Sequence, residues 1–302
     1  MGWTLDDIPN LTGKVMIVTG ANSGLGFETT RELAKKGAKV IMACRNLQKA
    51  EAAKQRILDD SPKADLEIME LDVSSLKSVT EFVKRFKARY VRLDVLVNNA
   101  GIMAAPYKIS DDGFENHFAT NYLGHFVLTD KLFDMIEGTP GGRVVSVSSI
   151  AYFLGNKIDF DTIAYIDKKK YGKWHAYGRS KMECLLFAYE MDRRLKASGK
   201  STISVAAHPG LARSNIMPAQ AKNAVSRKLR TWFSYMLKPT IYGAMPLIRA
   251  AVDENVKGGE YFGPSKDRLP DVVKSNKQSH DKAVAKRLWE LSENFSGVKF
   301  LE

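Results

Sequence analysis

Short apolar runs rich in β-branched residues alternate with segments of helical periodicity along most of the chain. The runs have the length and composition of buried parallel strands, and the segments between them carry apolar residues three and four positions apart, as amphipathic helices do. Because parallel strands need crossover connections, this pattern predicts one parallel sheet with helices on both faces. The predicted strands are residues 14–19, 39–43, 66–71, 94–97, 143–147 and 201–207.

The 302 residues contain no internal repeat, low-complexity tract or polar linker, so the pattern predicts a single α/β domain, 1–302, with a doubly wound sheet of about seven strands. Residues 10–210 are expected to form the ligand-binding core. Residues 211–240 form a variable segment, and residues 241–302 supply a closing helix, a last strand and an amphipathic C-terminal helix over residues 279–291. Ligands of such sheets bind beyond the carboxyl ends of the strands, where the strand order reverses.

Charge and cysteine content narrow the classes of function. Lys and Arg outnumber Asp and Glu by 46 to 34, a net charge of +12. Such an excess can reflect nucleic acid, an anionic membrane or a phosphorylated ligand. Nothing resembles a zinc finger or an aromatic-bearing RNA-binding sheet, so we expect no nucleic-acid partner. Cys44 and Cys184 give neither a disulfide framework nor metal-ligand spacing, which is typical of a reducing compartment.

The chain also lacks obvious targeting signals. Residues 1–10 are polar and acidic rather than a signal peptide, and no apolar run reaches the ~18 residues of a membrane span. We therefore expect a cytoplasmic protein without a transmembrane segment. The histidines His117, His125 and His175 lack metal-ligand spacing, and we predict no metal.

The first predicted strand runs directly into a glycine-rich loop, Gly20-Ala21-Asn22-Ser23-Gly24-Leu25-Gly26, and a helical pattern follows. A strand, a glycine loop and a helix N-terminus form an anion site, because unpaired backbone N–H groups point at the ligand and the missing side chains let a pyrophosphate approach. The spacing G-x-x-x-G-x-G differs from G-x-G-x-x-G and lacks the Gly-Lys-Ser/Thr ending of a P-loop.

Polar or turn-forming residues also follow the later strands. Asp72-Val73 places an acceptor where an adenine amino group could lie, and Asn98-Asn99-Ala100-Gly101 can brace the glycine loop. Ser148-Ser149 and Pro209-Gly210 end the fifth and sixth predicted strands. Since the carboxyl ends of parallel strands share one edge, these residues are expected to lie together.

Tyr177 and Lys181 lie four residues apart in a predicted helix, so their side chains share one face. A free phenol ionises near pH ~10. A cation ~4 Å away, at an effective dielectric of ~20, stabilises the phenolate by ~4 kcal/mol. The pair can therefore act as a general acid–base device. Alone, the spacing would equally fit a surface helix whose lysine covers apolar surface.

Taken in order, these motifs resemble a short-chain dehydrogenase/reductase over roughly residues 10–265. The resemblance rests on Thr19-Gly20-x-x-x-Gly24-x-Gly26, Asn98-Asn99-Ala100-Gly101, Asn121, Ser149, Tyr177-x-x-x-Lys181 and Pro209-Gly210. It implies a three-layer Rossmann fold. The runs Thr120–Phe126 and Gly259–Phe262 resemble the retinol dehydrogenase-like branch, although protochlorophyllide reductases share several such features.

The resemblance implies four catalytic roles. Tyr177 would be the acid–base group, and Lys181 would stabilise its phenolate and hold the nicotinamide ribose. Ser149 rather than Ser148 would bind the substrate oxygen, and Asn121 would support a water relay from Lys181 to solvent. The implied cofactor-binding positions are Gly20, Asn22, Ser23, Gly24, Leu25, Gly26, Arg45, Asn46, Asp72, Val73, Asn99, Ala100, Gly101, Tyr177, Lys181, Pro209, Gly210 and Ser214.

The second strand predicts which nicotinamide cofactor binds. An NAD-preferring site carries an acidic residue at the end of this strand. Here Cys44 takes that position and Arg45 follows, so a guanidinium can pair with a 2′-phosphate, with Asn46 and Lys49 nearby. We therefore expect NADP(H). His208 is interpreted as a loop residue beside the cofactor rather than a catalyst.

Residues 211–240 are expected to determine the substrate. They mix Met217, Trp232, Phe233 and Tyr235 with basic residues. Such a segment can be an apolar lid over a bulky substrate, a basic amphipathic helix on a membrane surface, or an ordinary packed helix. The sequence leaves these alternatives open.

The expected activity is NADP(H)-dependent hydride transfer to or from a hydrophobic ketone, aldehyde or alcohol. Retinoid-like, steroid-like or bulky aromatic carbonyls fit the resemblance. The alternatives are reduction of an activated C=C bond and a non-catalytic NADP(H) sensor. Relatives are often homodimers or homotetramers built through the helices carrying Asn121 and Tyr177, and the resemblance extends that expectation to this chain.

Overall fold

The computed structural model describes residues 2–155, 157–164, 168–210, 239–267 and 269–301. Within them, eight strands form one sheet. In chain order the strands are β1 (Val15–Thr19), β2 (Lys39–Cys44), β3 (Leu66–Glu70), β4 (Val95–Asn98), β5 (Arg143–Val147), β6 (Ile203–Ala207), β7 (Tyr261–Pro264) and β8 (Pro270–Val272).

Helices connect most of these strands. The α-helices are α1 (Gly24–Lys35), α2 (Leu47–Asp60), α3 (Leu76–Lys87), α4 (Gly124–Glu137), α5 (Lys173–Ala197), α6 (Thr240–Val252) and α7 (Lys282–Ser296). A π-helical turn, Phe118–Leu123, leads directly into α4. Short 3-10 turns occur at Leu5–Asp7, Ile150–Gly155, Lys168–Lys170 and Lys277–His280.

The strand order β3-β2-β1-β4-β5-β6-β7-β8 confirms the predicted doubly wound sheet. Strands β1 to β7 pair in parallel, whereas β8 pairs with β7 in the antiparallel direction and raises the predicted strand number from about seven to eight. The order reverses between β1 and β4, which opens a crevice at their carboxyl ends. Most of the predicted variable segment, residues 211–238, lies outside the described part of the chain. Its predicted role and the predicted Ser214 contact therefore stay predictions.

Two apolar layers hold the sheet between its helices. Because successive side chains of a strand point to opposite faces, Ile17 of β1 packs in one layer and Met16 and Val18 pack in the other. The first layer joins the sheet to α3, α4, α5 and α7, and the second joins it to α1, α2 and α6. This is the expected three-layer arrangement. Across the described helices, none combines the length and the apolar character that crossing a bilayer requires.

Candidate active site

One cavity of about 640 Å³ lies at the carboxyl ends of the strands, beside the point where the strand order reverses. It brings together nearly all the predicted site residues that the structure describes. They are Gly20, Asn22, Ser23, Gly24, Leu25, Arg45, Asn46, Asp72, Val73, Asn99, Ala100, Gly101, Ser149, Tyr177, Lys181, Pro209 and Gly210. Two predicted residues, Gly26 and Asn121, are not on the cavity wall, and their contacts place them behind it.

The glycine loop has the backbone that a phosphate cradle needs. Gly20 and Gly24 have φ values of +67° and +56°, in the left-handed region that glycine favours. A Cβ on Gly26 would lie 2.4 Å from the carbonyl oxygen of Gly20 and 2.5 Å from Nδ2 of Asn99. Helix α1 begins at Gly24, so the unpaired N–H groups of its first turn lie at this loop. The loop therefore fits the pyrophosphate of a dinucleotide.

Thr19 joins the glycine loop to the loop after β4. Its hydroxyl oxygen accepts hydrogen bonds from the backbone N–H groups of Asn99 (2.9 Å) and Ala100 (2.8 Å). In return, the Asn99 side chain donates to the carbonyl oxygen of Thr19 (2.7 Å). The predicted bracing of the glycine loop by this Asn-rich segment is thus a set of direct hydrogen bonds. His125 also contacts the Thr19 hydroxyl (3.0 Å), which sequence reasoning missed.

Arg45 and Asp72 form the edge of the cavity at the ends of β2 and β3. The Arg45 side chain is 71% exposed, and its guanidinium lies 3.4 Å from the Asp72 carboxylate. Burial disfavours ionisation of Asp72, but hydrogen bonds from Ser74 and the charge of Arg45 outweigh it and hold the pKa of Asp72 below its usual range. Lys49 lines the same region. Two cationic side chains at this edge fit a ligand that carries a phosphate here better than one that offers only ribose hydroxyls.

Cys44 and Asn46 flank Arg45. Burial, partly offset by the backbone N–H groups of Ala21 and Asn22, raises the pKa of the Cys44 thiol to about 11, so the thiol is neutral. The Asn46 side-chain oxygen accepts a hydrogen bond from the Lys49 N–H (2.8 Å) and caps α2. Asn46 therefore orients the first turn of α2 towards the cavity edge.

Helix α5 brings Tyr177 and Lys181 to the opposite wall. The Lys181 ammonium donates to the carbonyl oxygen of Val147 (2.9 Å), which anchors it at the end of β5. Tyr177 is 7% exposed, and its ring lies 6.4 Å from the ring of Trp174, one turn earlier. Both side chains line the cavity, as their four-residue spacing predicts.

The two adjacent serines have different surroundings. The Ser148 hydroxyl is buried and donates to the carbonyl oxygen of Lys181 (2.7 Å). Ser149 is only partly buried on the cavity wall, where its oxygen accepts from the Ala151 N–H (3.2 Å). The turn that follows packs closely on α5, because a Cβ on Gly178 would lie 2.6 Å from the carbonyl oxygen of Ala151. This close approach sets Ser149 beside the Tyr177 helix.

Asn121 braces the cavity from behind. Its side-chain N–H₂ donates to Ile102 O (3.0 Å) and to the Ser180 hydroxyl (2.8 Å), and its side-chain oxygen accepts from Ile102 N–H (2.8 Å). A methyl group added to Gly101 would lie 3.0 Å from that oxygen and 3.6 Å from the Lys181 ammonium. The side-chain amide thus holds the Ile102 backbone next to Lys181, a bracing contact that sequence reasoning did not include.

An apolar wall completes the cavity, and sequence reasoning missed it. Phe153 and Leu154 are each 54% exposed and Trp174 is 46% exposed, although all three line the cavity. With Ile102, Met103 and Ile150 they form an apolar patch on the wall. Their closeness in sequence to Gly101, Ser149 and Tyr177 was the available signal.

His208 lies at the end of β6, where its Nδ1 accepts a hydrogen bond from the Gly210 N–H (3.1 Å) and its ring packs 5.0 Å from that of Tyr261. Burial lowers the pKa of His208 to about 4, so its imidazole is neutral. These contacts fit a residue that shapes the loop. Across the described ranges, no group of three or more His, Cys, Asp or Glu side chains is arranged to hold a metal ion.

The chain is similar to known proteins along most of its length. The family model described as short chain dehydrogenase matches residues 14–160. Retinol dehydrogenase 12 of Mus musculus is 37% identical over 96% of this chain and 88% of its own length. Retinol dehydrogenase 13 of Homo sapiens is 36% identical over 96% of this chain and 86% of its own length.

Solved structures show the same fold. The crystal structure of an uncharacterized protein from Mycobacterium paratuberculosis is 35% identical, covers 99% of both chains and has a TM-score of 0.81. A short chain dehydrogenase from Shigella flexneri, complexed with NADP, is 21% identical with a TM-score of 0.62 over 85% of this chain and 99% of its own, a likeness of fold alone.

Proposed function

Because the chain belongs to the short-chain dehydrogenase/reductase family, in its retinol dehydrogenase-like branch, and is thus a nicotinamide-dependent oxidoreductase, we propose that it is an NADP(H)-dependent enzyme acting on hydrophobic ketones, aldehydes or the matching alcohols. One observation carries this proposal. Ser149, Tyr177 and Lys181 line the same cavity as the glycine loop, and apolar side chains that include Phe153, Leu154 and Trp174 line it as well. When bound, the cofactor would supply or accept the hydride.

The chain's own residues would move the proton. In the reducing direction, the Tyr177 hydroxyl donates its proton to the carbonyl oxygen of the substrate, and the nearby Lys181 ammonium stabilises the phenolate that remains. The Ser149 hydroxyl donates a hydrogen bond to the same oxygen as negative charge develops on it. The bond from Lys181 to Val147 O keeps the ammonium in place, so little reorganisation is needed during the reaction.

The apolar wall supports a hydrophobic substrate. Ile102, Ile150, Phe153 and Trp174 can exclude water from the reacting carbonyl, which strengthens the hydrogen bonds made to it. Retinal, steroid and aromatic carbonyls are therefore the substrates to try first. Consumption of NADPH with formation of an alcohol supports the proposal, whereas a saturated carbon framework would indicate C=C reduction instead.

Tyr177→Phe tests the acid–base role. The substitution removes one oxygen, and we expect turnover to fall by about 10²- to 10⁴-fold, the usual contribution of a general acid. NADPH binding, followed by fluorescence, should persist. Tyr242→Phe, at a 43% exposed tyrosine on α6, is the matched control and should keep wild-type turnover. A Tyr177→Phe protein with an unchanged rate would refute the mechanism.

Arg45→Ala tests the choice of cofactor. Loss of a charge-assisted hydrogen bond to a 2′-phosphate should weaken NADPH binding by about 10- to 100-fold and leave NADH binding unchanged. Lys63→Ala, at an exposed position after α2, removes the same charge elsewhere and serves as the control. Calorimetric titration of both cofactors measures the effect, and equal losses for NADPH and NADH would contradict the assignment.

A further inference from the structure

His125 lies in the first turn of α4, within the sequence run Thr120–Phe126, and only 3% of it is exposed. Its two ring nitrogens contact two different parts of the site. Nε2 lies 3.0 Å from the Thr19 hydroxyl at the end of β1, and Nδ1 lies 3.2 Å from the backbone oxygen of Asn121. Neither contact is accounted for by the proposed reaction.

Hydrogen-bond accounting fixes the tautomer of this imidazole. A carbonyl oxygen can only accept, so the Nδ1 that faces Asn121 must carry the hydrogen. The Thr19 oxygen already accepts from Asn99 and Ala100, which fills both of its lone pairs. The remaining Thr19 hydrogen then points to Nε2 at 3.0 Å, in preference to Val97 O at 3.3 Å. His125 is thus neutral, with Nδ1 as donor and Nε2 as acceptor.

The electrostatics agree with this state. Burial lowers the pKa of His125 to about 4. The hydrogen bond to Asn121 opposes this shift, and repulsion from the Lys181 ammonium adds to it. A protonated ring would also aim a second N–H at a threonine oxygen whose lone pairs are filled. The imidazole therefore keeps its donor and its acceptor throughout the neutral pH range.

The hydrogen bonds continue from Asn121 to the catalytic helix. The Asn121 side chain donates to the Ser180 hydroxyl (2.8 Å), and that hydroxyl donates to the backbone oxygen of Tyr177 (2.8 Å). A buried chain thus runs from the strand before the glycine loop to the backbone of Tyr177. His125 is the link between its two halves.

We propose that His125 is a positioning residue that fixes the Asn121 turn to the Thr19 strand end and so aligns Tyr177 with the cofactor cradle. This inference rests on the proposed function, because Tyr177 has a partner to be aligned with only if the chain is a catalyst. His125 itself is buried and is not among the residues that line the cavity. It acts through Asn121 and Ser180, and its loss should therefore alter turnover more than cofactor binding.

A nitrogen spectrum of the cofactor-free protein tests the tautomer without any assay of activity. Long-range ¹H–¹⁵N spectra of histidine-labelled protein distinguish the two neutral tautomers and the imidazolium. We expect His125 to show the Nδ1–H pattern from neutral pH down to about pH 5, assigned by its disappearance in His125→Phe. An Nε2–H pattern, or an imidazolium at neutral pH, would overturn the inference.

Two variants test the alignment. His125→Phe keeps a ring but removes both hydrogen bonds, and we expect kcat to fall by about 10- to 100-fold, as for a displacement near 1 Å, with little change in NADPH affinity. His125→Asn keeps a donor near the Nδ1 position and should recover part of the loss. A purely structural role would lower Tm and leave the kcat of the folded protein unchanged, and that result would refute the proposal.

The failures of this inference and of the proposed function can be told apart. If the wild type turns over and His125→Phe matches it, the alignment role is wrong and the proposed function stands. If the wild type shows no turnover with any carbonyl, ring resonances of ¹³C-labelled tyrosine decide the matter. His125→Phe should then shift those of Tyr177 and not those of Tyr242, and unshifted Tyr177 resonances would overturn the inference.

Discussion

At the scale of single residues, Asp94 shows how a buried charge fixes the framework beneath the site. Its carboxylate is 3% exposed and accepts the Val15 N–H (2.9 Å), two bonds from Arg92 (2.7 and 2.9 Å) and a contact from Lys14 (3.1 Å). It thereby joins the starts of β1 and β4, whose other ends form the crevice. Burial disfavours the ionised form, but these partners outweigh it and lower the pKa of Asp94.

Asp94→Asn should destabilise the protein by about 2–4 kcal/mol at neutral pH, because it leaves a buried backbone donor and two cations poorly paired. Because the pKa of Asp94 is lower in the folded state than the unfolded value of ~3.9, the ionised carboxylate stabilises the fold above about pH 4. This stabilisation is lost as the pH falls further. Urea unfolding should therefore show a wild-type advantage that shrinks below about pH 4. Asp65→Asn removes an exposed ion pair with Lys39 and should cost under about 1 kcal/mol. Equal losses in the two variants would contradict this account.

The candidate site residues could be located from the sequence, because their types are few and each follows a predicted strand or lies in a predicted helix. Tyr177, Lys181 and the glycine loop were located in this way, and the structure brings them to one cavity. The apolar wall was not predicted, because apolar residue type does not distinguish Phe153 on a cavity from a phenylalanine in a core, and closeness in sequence to Ser149 was the only further signal. The contact between His125 and the Thr19 hydroxyl joins residues 106 positions apart, which periodicity cannot reveal.

At the scale of elements, α7 packs across α4 and α5 through an aromatic cluster. The Trp289 ring is 1% exposed and lies 5.0 Å from the rings of Phe126 and Phe300 and 5.8 Å from that of Phe187. Tyr122, next to Asn121, shares a buried hydrogen bond with Ser292 of α7. The sequence pattern predicts this helix over residues 279–291, whereas the structure has it at Lys282–Ser296, after a separate 3-10 turn at Lys277–His280.

Two tryptophans allow a matched comparison. Trp289→Ala should cost about 3–5 kcal/mol in denaturant unfolding, since it empties a buried aromatic site. Trp174→Ala, at a half-exposed ring on the cavity wall, should cost far less and instead raise KM for bulky carbonyls. If both variants lost similar stability and kept the same KM, the division between core and cavity would be wrong.

The π-helical turn before α4 is a detail that the helical pattern does not predict. The pattern indicates a helical segment over residues 114–136. The structure is helical over most of it, with the wider π turn at Phe118–Leu123 and the α-helix from Gly124. A Cβ on Gly124 would lie 1.8 Å from the carbonyl oxygen of Val73, so α4 packs against the loop after β3 without room for a side chain. Tertiary packing of this kind is not encoded in helical periodicity.

At the scale of the whole molecule, α7 and the residues after it cover faces of α4 and α5. The resemblance predicted assembly through the helices carrying Asn121 and Tyr177. Here Trp289 and Phe300 bury aromatic surface of those helices within the same chain. A second copy cannot pack on surface that is already buried.

We therefore expect light scattering after size exclusion to report a mass near 33.7 kDa. A stable dimer that persisted at micromolar concentration would refute the monomer. The Arg194 guanidinium stacks on the Trp289 ring at 4.5 Å, at the face where α7 covers α5. If Arg194→Glu dissociated such a dimer, the interface between the two copies would lie on that face. Arg89→Glu, on an exposed ion pair beside β3, is the control for a change of charge.

The two edges of the sheet bear on behaviour in concentrated solution. At one edge, β8 is only three residues long and begins with Pro270, which has no N–H to offer a further strand. At the other edge, the Arg85 guanidinium already binds the carbonyl oxygen of Glu70 (2.7 Å), the last residue of β3. A long, flat, unpaired edge would template aggregation between molecules. Neither edge strand of this sheet is free to pair along its whole length with a strand of another molecule. The folded protein should therefore resist edge-to-edge assembly into fibrils even at high concentration.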